Sequence, residues 1–436
     1  MHDERFWDAA GLEPGSAAGA ARYAALASLA PGARRYAAHW ASFEPDYPPP
    51  DGDCPAGTVE WARGEPAAGA VRAASAVAAA PSPRPRRRHC YAEAAINQTA
   101  AYLALDAAHG IQSVATLWRA PERARDARCA GAARGGAGAP RAPDFGGCAP
   151  TLAAMPDFAD FVAFLGDRFR GKGGGGRFSA FEVWAAAASA SSFDLTPTVA
   201  GPGTSPTVQA AVIQRYAALV RATADALTSV GAPPALVLAA VDATWATPPR
   251  GDRGGRPHIG SGVLVDGLWA ELGVGVDWSV GVAPYGAAGA RGWPASCHVS
   301  DLPSLAASQR ARAAALGVSD PARAPQAVLA ATEFGWPAAG ARAPAAAASV
   351  CAAHAAALAT PGLAFAAHVE FQGGEPGDPA GLVPAEAGPG LDAAAAAASP
   401  TLAALRSTSP DTWGRGGGHY CCLVHALGCG GGEVAA

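Results

Sequence analysis

From about residue 20 onward, short apolar runs alternate with longer Ala/Leu-rich segments. Seven of the short runs read as strands: 33–40 (ARRYAAHW), 111–118 (IQSVATLW), 177–184 (RFSAFEVW), 235–245 (ALVLAAVDATW), 277–284 (DWSVGVAP), 326–334 (QAVLAATEF) and 363–371 (LAFAAHVEF). Between them lie stretches of helical length at 91–110, 155–169, 207–231, 302–317 and 345–360, several of which close with Gly just past the last apolar turn. Strands alternating with helices in this way predict repeated β/α units, not a sandwich or a bundle. The pattern predicts an α/β chain folded as a (β/α)8 TIM barrel over residues 1–405, followed by a Cys/Gly-rich extension at 406–436. An eighth strand has to precede residue 20, where ERFW at 4–7 is the one weak candidate, so the first strand is expected to be short or incomplete.

Composition changes how the alanines are read. Ala, Gly, Pro and Arg are abundant, while Lys172 is the only lysine and Asn97 the only asparagine, as codon usage in a G- and C-rich genome would produce. Runs such as LDAAAAAASP therefore serve as helix filler. A net charge of −4 with 16% charged residues gives no electrostatic basis for a nucleic-acid partner, and RPRRRHC at 84–90 reads as a solvated, Pro-broken loop.

No segment reaches the ~18 to 20 apolar residues needed to cross a bilayer. The start, MHDERFWDAAGLEPG, lacks the basic end and apolar stretch of a signal peptide, which fits a mature chain or a fragment. Nine cysteines, three of them in GHYCCLVHALGC, fit an oxidising, extracellular or secretory compartment better than cytosol. The odd total leaves at least one cysteine free or intermolecular. The C-terminal set His419, Cys421, Cys422, His425 and Cys429 matches no standard zinc spacing and reads as disulfide-forming, so neither metal nor cofactor is expected. GKGGGG at 171–176 lacks the Ser or Thr that follows the lysine of a phosphate loop. Asn97-Gln98-Thr99 is an N-glycosylation sequon set in a helix-like stretch.

The chemistry gathers where the strand-like runs end: Trp40, Trp118, Trp184, Trp245, Pro284 with Tyr285, Glu333 with Trp336, and Glu370. In a barrel these positions converge on the mouth where active sites are built. Any single tryptophan can equally close a strand as core rim. Aromatics recurring at successive strand ends, with carboxylates among them, suit a carbohydrate partner, whose C–H faces stack on rings while its hydroxyls seek polar groups.

In that order the motifs ATEFGWP (331–337), RRYAAHWASFEP (34–45), ATLWRAP (115–121), FEVW (181–184) and VAPYG (282–286) resemble strands 7, 2, 3, 4 and 6 of the clan A retaining glycoside hydrolases, over roughly residues 20–400. The resemblance implies a (β/α)8 fold and a double displacement by two carboxylates. It assigns Glu333 as nucleophile, Tyr285 as its hydrogen-bond partner and Arg35 as the cation that keeps it ionised. It also exposes departures. The acid/base position falls on Ala186, the asparagine that binds the sugar 2-hydroxyl on Ala185, and a histidine before Pro284 on Ala283. Glu182, Asp194 and Glu370 are the carboxylates near enough in sequence to substitute. Two expectations follow: a glycosidase, or a catalytically silent relative that binds carbohydrate or serves as an interaction protein through the same cleft.

Overall fold

The computed structural model describes residues 33–44, 53–63, 88–125, 149–171, 175–184, 187, 205–242, 245, 259–283, 301–322, 324–334 and 360–368. Nine strands occur among them: β1 (Ala33–His39), β2 (Thr58–Ala62), β3 (Arg88–Ala92), β4 (Gln112–Trp118), β5 (Phe178–Val183), β6 (Leu236–Asp242), β7 (Ser279–Ala283), β8 (Leu329–Phe334) and β9 (Leu363–His368). The helices are α1 (Trp40–Phe43), α2 (Glu93–Ala108), α3 (Met155–Arg168), α4 (Pro206–Ser229), α5 (Ser261–Leu272) and α6 (Leu302–Ala315).

Seven strands form one sheet in the order β1-β4-β5-β6-β7-β8-β9, and β2 pairs antiparallel with β3 in a second. The pairs β4–β5, β5–β6 and β8–β9 are parallel. Helices α3, α4, α5 and α6 connect β4 to β5, β5 to β6, β6 to β7 and β7 to β8, which is the repeated β/α order expected from the sequence. The expected strand at 4–7, the helix at 345–360 and the extension at 406–436 lie outside the described residues.

The chain divides into two compact units. In the first, residues 37–108 with 113–280, the helices cover parallel strands through large apolar side chains. Phe158, Phe161, Phe164 and Leu165 of α3 and Tyr216, Leu219 and Val220 of α4 are all buried. Ser205 caps α4 by accepting the Val208 N–H at 3.3 Å, and Pro206 supplies the fixed φ that suits a first helical residue. The buried Tyr216 hydroxyl lies 2.8 Å from the Val183 carbonyl and 2.9 Å from that of Ala240, tying α4 to the ends of β5 and β6. Burial, and then the nearby charge of Glu182, raise its pKa well above the ordinary tyrosine value. Arg170 at the end of α3 donates to the Gly231 carbonyl at 3.0 Å and to the Val230 carbonyl, satisfying groups left open where α4 ends. At Gly176 any Cβ would stand 1.8 Å from the Leu103 carbonyl oxygen, so only glycine lets the entry to β5 pass under α2.

In the second unit, residues 1–36, 109–112 and 281–436, α6 buries Leu302, Leu305, Ala306 and Ala313. The Leu329 N–H donates to the Gly362 carbonyl at 2.9 Å, and Arg310 donates to the Pro361 carbonyl at 3.2 Å.

The β2–β3 pair corrects the sequence reading in one place. Residues 88–90 belong to a strand and not to a solvated loop, and α2 begins at Glu93 instead of Tyr91. The pairing of Thr58–Ala62 with Arg88–Ala92 and the disulfide Cys54–Cys90 hold this segment extended against the local helix preference of the residues that follow.

Candidate functional site

Strand ends position the candidate residues. Glu333 is the penultimate residue of β8, and Arg35 sits in β1, 2% exposed beside an equally buried Arg34. Tyr285, Ala185, Ala186, Trp336, Glu370, Asp194 and Pro284 lie outside the described residues. Ala283 ends β7 and is half-buried.

The aromatic strand ends separate into two kinds. Trp40 follows β1 directly, is fully buried, and stacks on Phe161 at 5.9 Å with an interplanar angle of 12°. Its indole N–H donates to Glu44 Oε2 at 2.8 Å. Trp184 is also fully buried and meets Phe158 edge-on at 6.3 Å. Both rings pack against α3, filling the space between their strand ends and its phenylalanines. Trp118 and Trp245 are half-buried and keep part of their surface free. Trp118 lies 5.9 Å from Trp184 at 30°, so the buried ring backs the accessible one.

Trp184 carries a second feature, a φ of 52°, unusual for a bulky residue. Its N–H still donates to the Leu117 carbonyl at 3.1 Å, so the ladder holds up to this residue and the backbone then turns out of strand geometry. Arg119, one residue past the end of β4, has a φ of 54° and makes the same exit. Strained exits of this kind are held only where surrounding packing over-determines them.

Glu182 pairs across the sheet with Thr116, and its Oε2 accepts from Thr116 Oγ1 at 2.7 Å. It is 1% exposed. It lies two residues before the strained exit at Trp184, within the strand ladder. That disfavours it as a stand-in proton donor.

The sequence reading missed a buried charged cluster. His89 of β3 lies between two carboxylates, with Nδ1 2.8 Å from Glu44 Oε1 and Nε2 3.3 Å from Asp160 Oδ2 on α3. Arg123 reaches Glu44 Oε1 at 2.6 Å and Arg63 reaches Asp160 Oδ1 at 3.6 Å. Burial of the ring opposes its charging, but hydrogen bonds to Asp160 and Glu44 and their negative charges outweigh that and push the His89 pKa up to about 9. The cluster ties β3, α3 and the turn after β1 together. Its members are 45 and 71 residues apart along the chain, so no local motif signals it. Among the described residues no group of three or more His, Cys, Asp and Glu could hold a metal ion, and no helix is long and apolar enough to cross a membrane.

No family model matches the chain, and no curated protein matches it. Among solved structures it is similar to a family 39 glycoside hydrolase from Bacteroides cellulosilyticus WH2, at 14% identity and a TM-score of 0.48 over 90% of this chain and 60% of that one. The chain thus spans less than two thirds of that protein's length. It is similar to GH5_18 from Streptomyces cattleya in complex with GlcNAc, at 14% identity and a TM-score of 0.45 over 91% of this chain and 76% of the other. A hyperthermophilic beta-glucosidase from Pyrococcus furiosus matches at 11% identity and a TM-score of 0.49 over 97% and 91%.

Proposed function

We propose that this chain is a (β/α)8 barrel that acts on or binds carbohydrate, in which Glu333 keeps the nucleophile position of a retaining glycosidase while the proton donor has been lost at Ala186. The observation that carries the reading is the placement of Glu333 at the end of β8 within a sheet of repeated β/α units, the place where such folds present reactive groups. In this reading Arg35 and Tyr285 hold Glu333 ionised and oriented. The half-buried Trp118 and Trp245, with Trp336 and Glu370, line the sugar site, and Ala185 marks the lost contact to the sugar 2-hydroxyl.

The chemistry follows from the missing acid. The Glu333 carboxylate attacks the anomeric carbon, the glycosidic C–O bond breaks, and the leaving oxygen departs without a proton. Positioned proton donation is worth ~10²- to 10⁴-fold, about 3 to 5 kcal/mol of barrier. Alkoxide leaving groups need that help, whereas acidic aryloxides do not.

Hydrolysis of activated aryl glycosides, measured with and without azide, tests the reading. The expected result is turnover that azide stimulates and that Glu333→Gln abolishes. Absence of turnover under every condition would overturn it.

The alanines favour a second reading, a silent carbohydrate-binding relative. Glycan binding unaffected by Glu333→Gln but lost in Trp118→Ala would establish it, since Trp118 is half-buried and its truncation spares the core that Trp184 fills.

A further inference from the structure

We infer that Asn97 is an N-glycosylation site, carrying a glycan on the outer face of α2. The inference is independent of the proposed function. Asn97 is the only asparagine in 436 residues, and it is followed by Gln98 and Thr99. Ser and Thr together make up roughly a tenth of the chain, so a lone asparagine would meet this spacing by chance about one time in ten. The single asparagine of the chain thus falls in an acceptor sequon.

The folded structure leaves room for a glycan at Asn97. α2 buries Ile96, Tyr102, Leu103 and Asp106, whereas Asn97 is exposed and makes no side-chain hydrogen bond to a described residue. Its neighbour Gln98 is likewise exposed and donates to the Tyr102 hydroxyl at 3.2 Å. The outer face around Asn97 is formed by Ala94, Ala100, Ala104, Ala107 and Ala108, with Glu93 the one exposed charged residue on the helix. A surface that poor in charge gains solubility from a bulky polar sugar. The disulfide Cys54–Cys90 ends seven residues before Asn97, which is the bond expected of a chain that folds in an oxidising lumen.

The helical setting does not oppose the modification, because transfer precedes folding of the emerging chain. The Asn97 amide nitrogen displaces pyrophosphate from the anomeric carbon of a lipid-pyrophosphate-linked oligosaccharide. A C–N bond forms, the sugar C–O–phosphate bond breaks, one amide proton is lost and the lipid pyrophosphate leaves.

The test is mass spectrometry of the full chain, secreted from a eukaryotic cell line behind a cleavable leader. After reduction, trypsin releases the peptide 89–119, which contains Asn97 and no internal Arg or Lys. The expected result is a peptide heavier by one glycan. Peptide N-glycanase in isotope-labelled water should convert Asn97 to Asp with the heavy oxygen incorporated. Thr99→Ala should abolish the increment and Thr99→Ser should retain it. A secreted chain with Cys54–Cys90 formed and the peptide wholly unmodified would overturn the inference.

Discussion

The stability of this fold should fall on the alkaline side of neutrality, through His89. The imidazolium is 4% exposed and bridges Glu44 and Asp160, with Arg123 and Arg63 on the far sides of those carboxylates and Tyr91 of its own strand stacked at 5.8 Å. Its pKa is about 9 when folded against 6.5 for an unperturbed histidine. The folded state therefore holds the proton more tightly than the unfolded one. The stabilisation is fully present below pH ~6.5 and is lost as pH rises through ~9. At 1.36 kcal/mol per pKa unit the whole contribution is about 3 kcal/mol, of which about 2 kcal/mol remains at pH 7.5. Asp157 on α3 also faces Tyr91, whose hydroxyl, pushed well above 10 by burial and by the charges of Glu44 and Asp160, stays neutral throughout this window. Urea unfolding followed by tryptophan fluorescence, from pH 6 to 10, on the wild type and His89→Gln measures the effect. Groups common to both proteins cancel in the difference, which should shrink by about 3 kcal/mol across the range. Glu44→Gln should move the loss to lower pH by removing one of the two carboxylates. A difference independent of pH between 6.5 and 9.5 would refute the reasoning, since an uncharged His89 contributes packing alone.

Two further changes test the frame around this cluster. The Cys54–Cys90 bond closes a 36-residue separation, so replacing both cysteines by alanine should lower the unfolding free energy by about 4 kcal/mol on the chain-entropy account, read as a lower urea midpoint under non-reducing conditions. Gly176→Ala should cost at least about 3 kcal/mol, because the new methyl meets the Leu103 backbone and not a side chain that can turn away; loss of a cooperative thermal transition or a sharply lower Tm is the expected result.

What could be read from the chain alone depended on how local the determining interaction is. Each strand of the parallel sheet begins and ends within three residues of its apolar run, because strands covered by helices spell out their burial in consecutive residues. The pair β2–β3 was not legible. Val59 and Glu60 are exposed, the flanking residues are Pro- and Arg-rich, and a partner 30 residues away together with a disulfide decides the conformation. The His89 cluster stayed hidden for the same reason. His89 looks like the end of a basic loop, and Glu44 like the polar residue that closes a turn, until β3 and α3 bring them together.

The candidate site shows the converse, a legible pattern whose cause is not the one the pattern suggests. Aromatic residues end several strands, which reads as a wall for sugar rings. Trp40 and Trp184 nonetheless lie wholly buried on Phe158 and Phe161, so packing alone retains them whether or not a ligand binds. Trp184 also holds the φ of 52° at which β5 leaves the ladder, a strain of order 1–3 kcal/mol that its buried ring helps offset. The exit from β5 at Trp184 is thus built into the core. For this reason Trp40 and Trp184 report the packing of the core, whereas the half-buried Trp118 and Trp245 are the strand-end tryptophans among the described residues with surface left for a ligand.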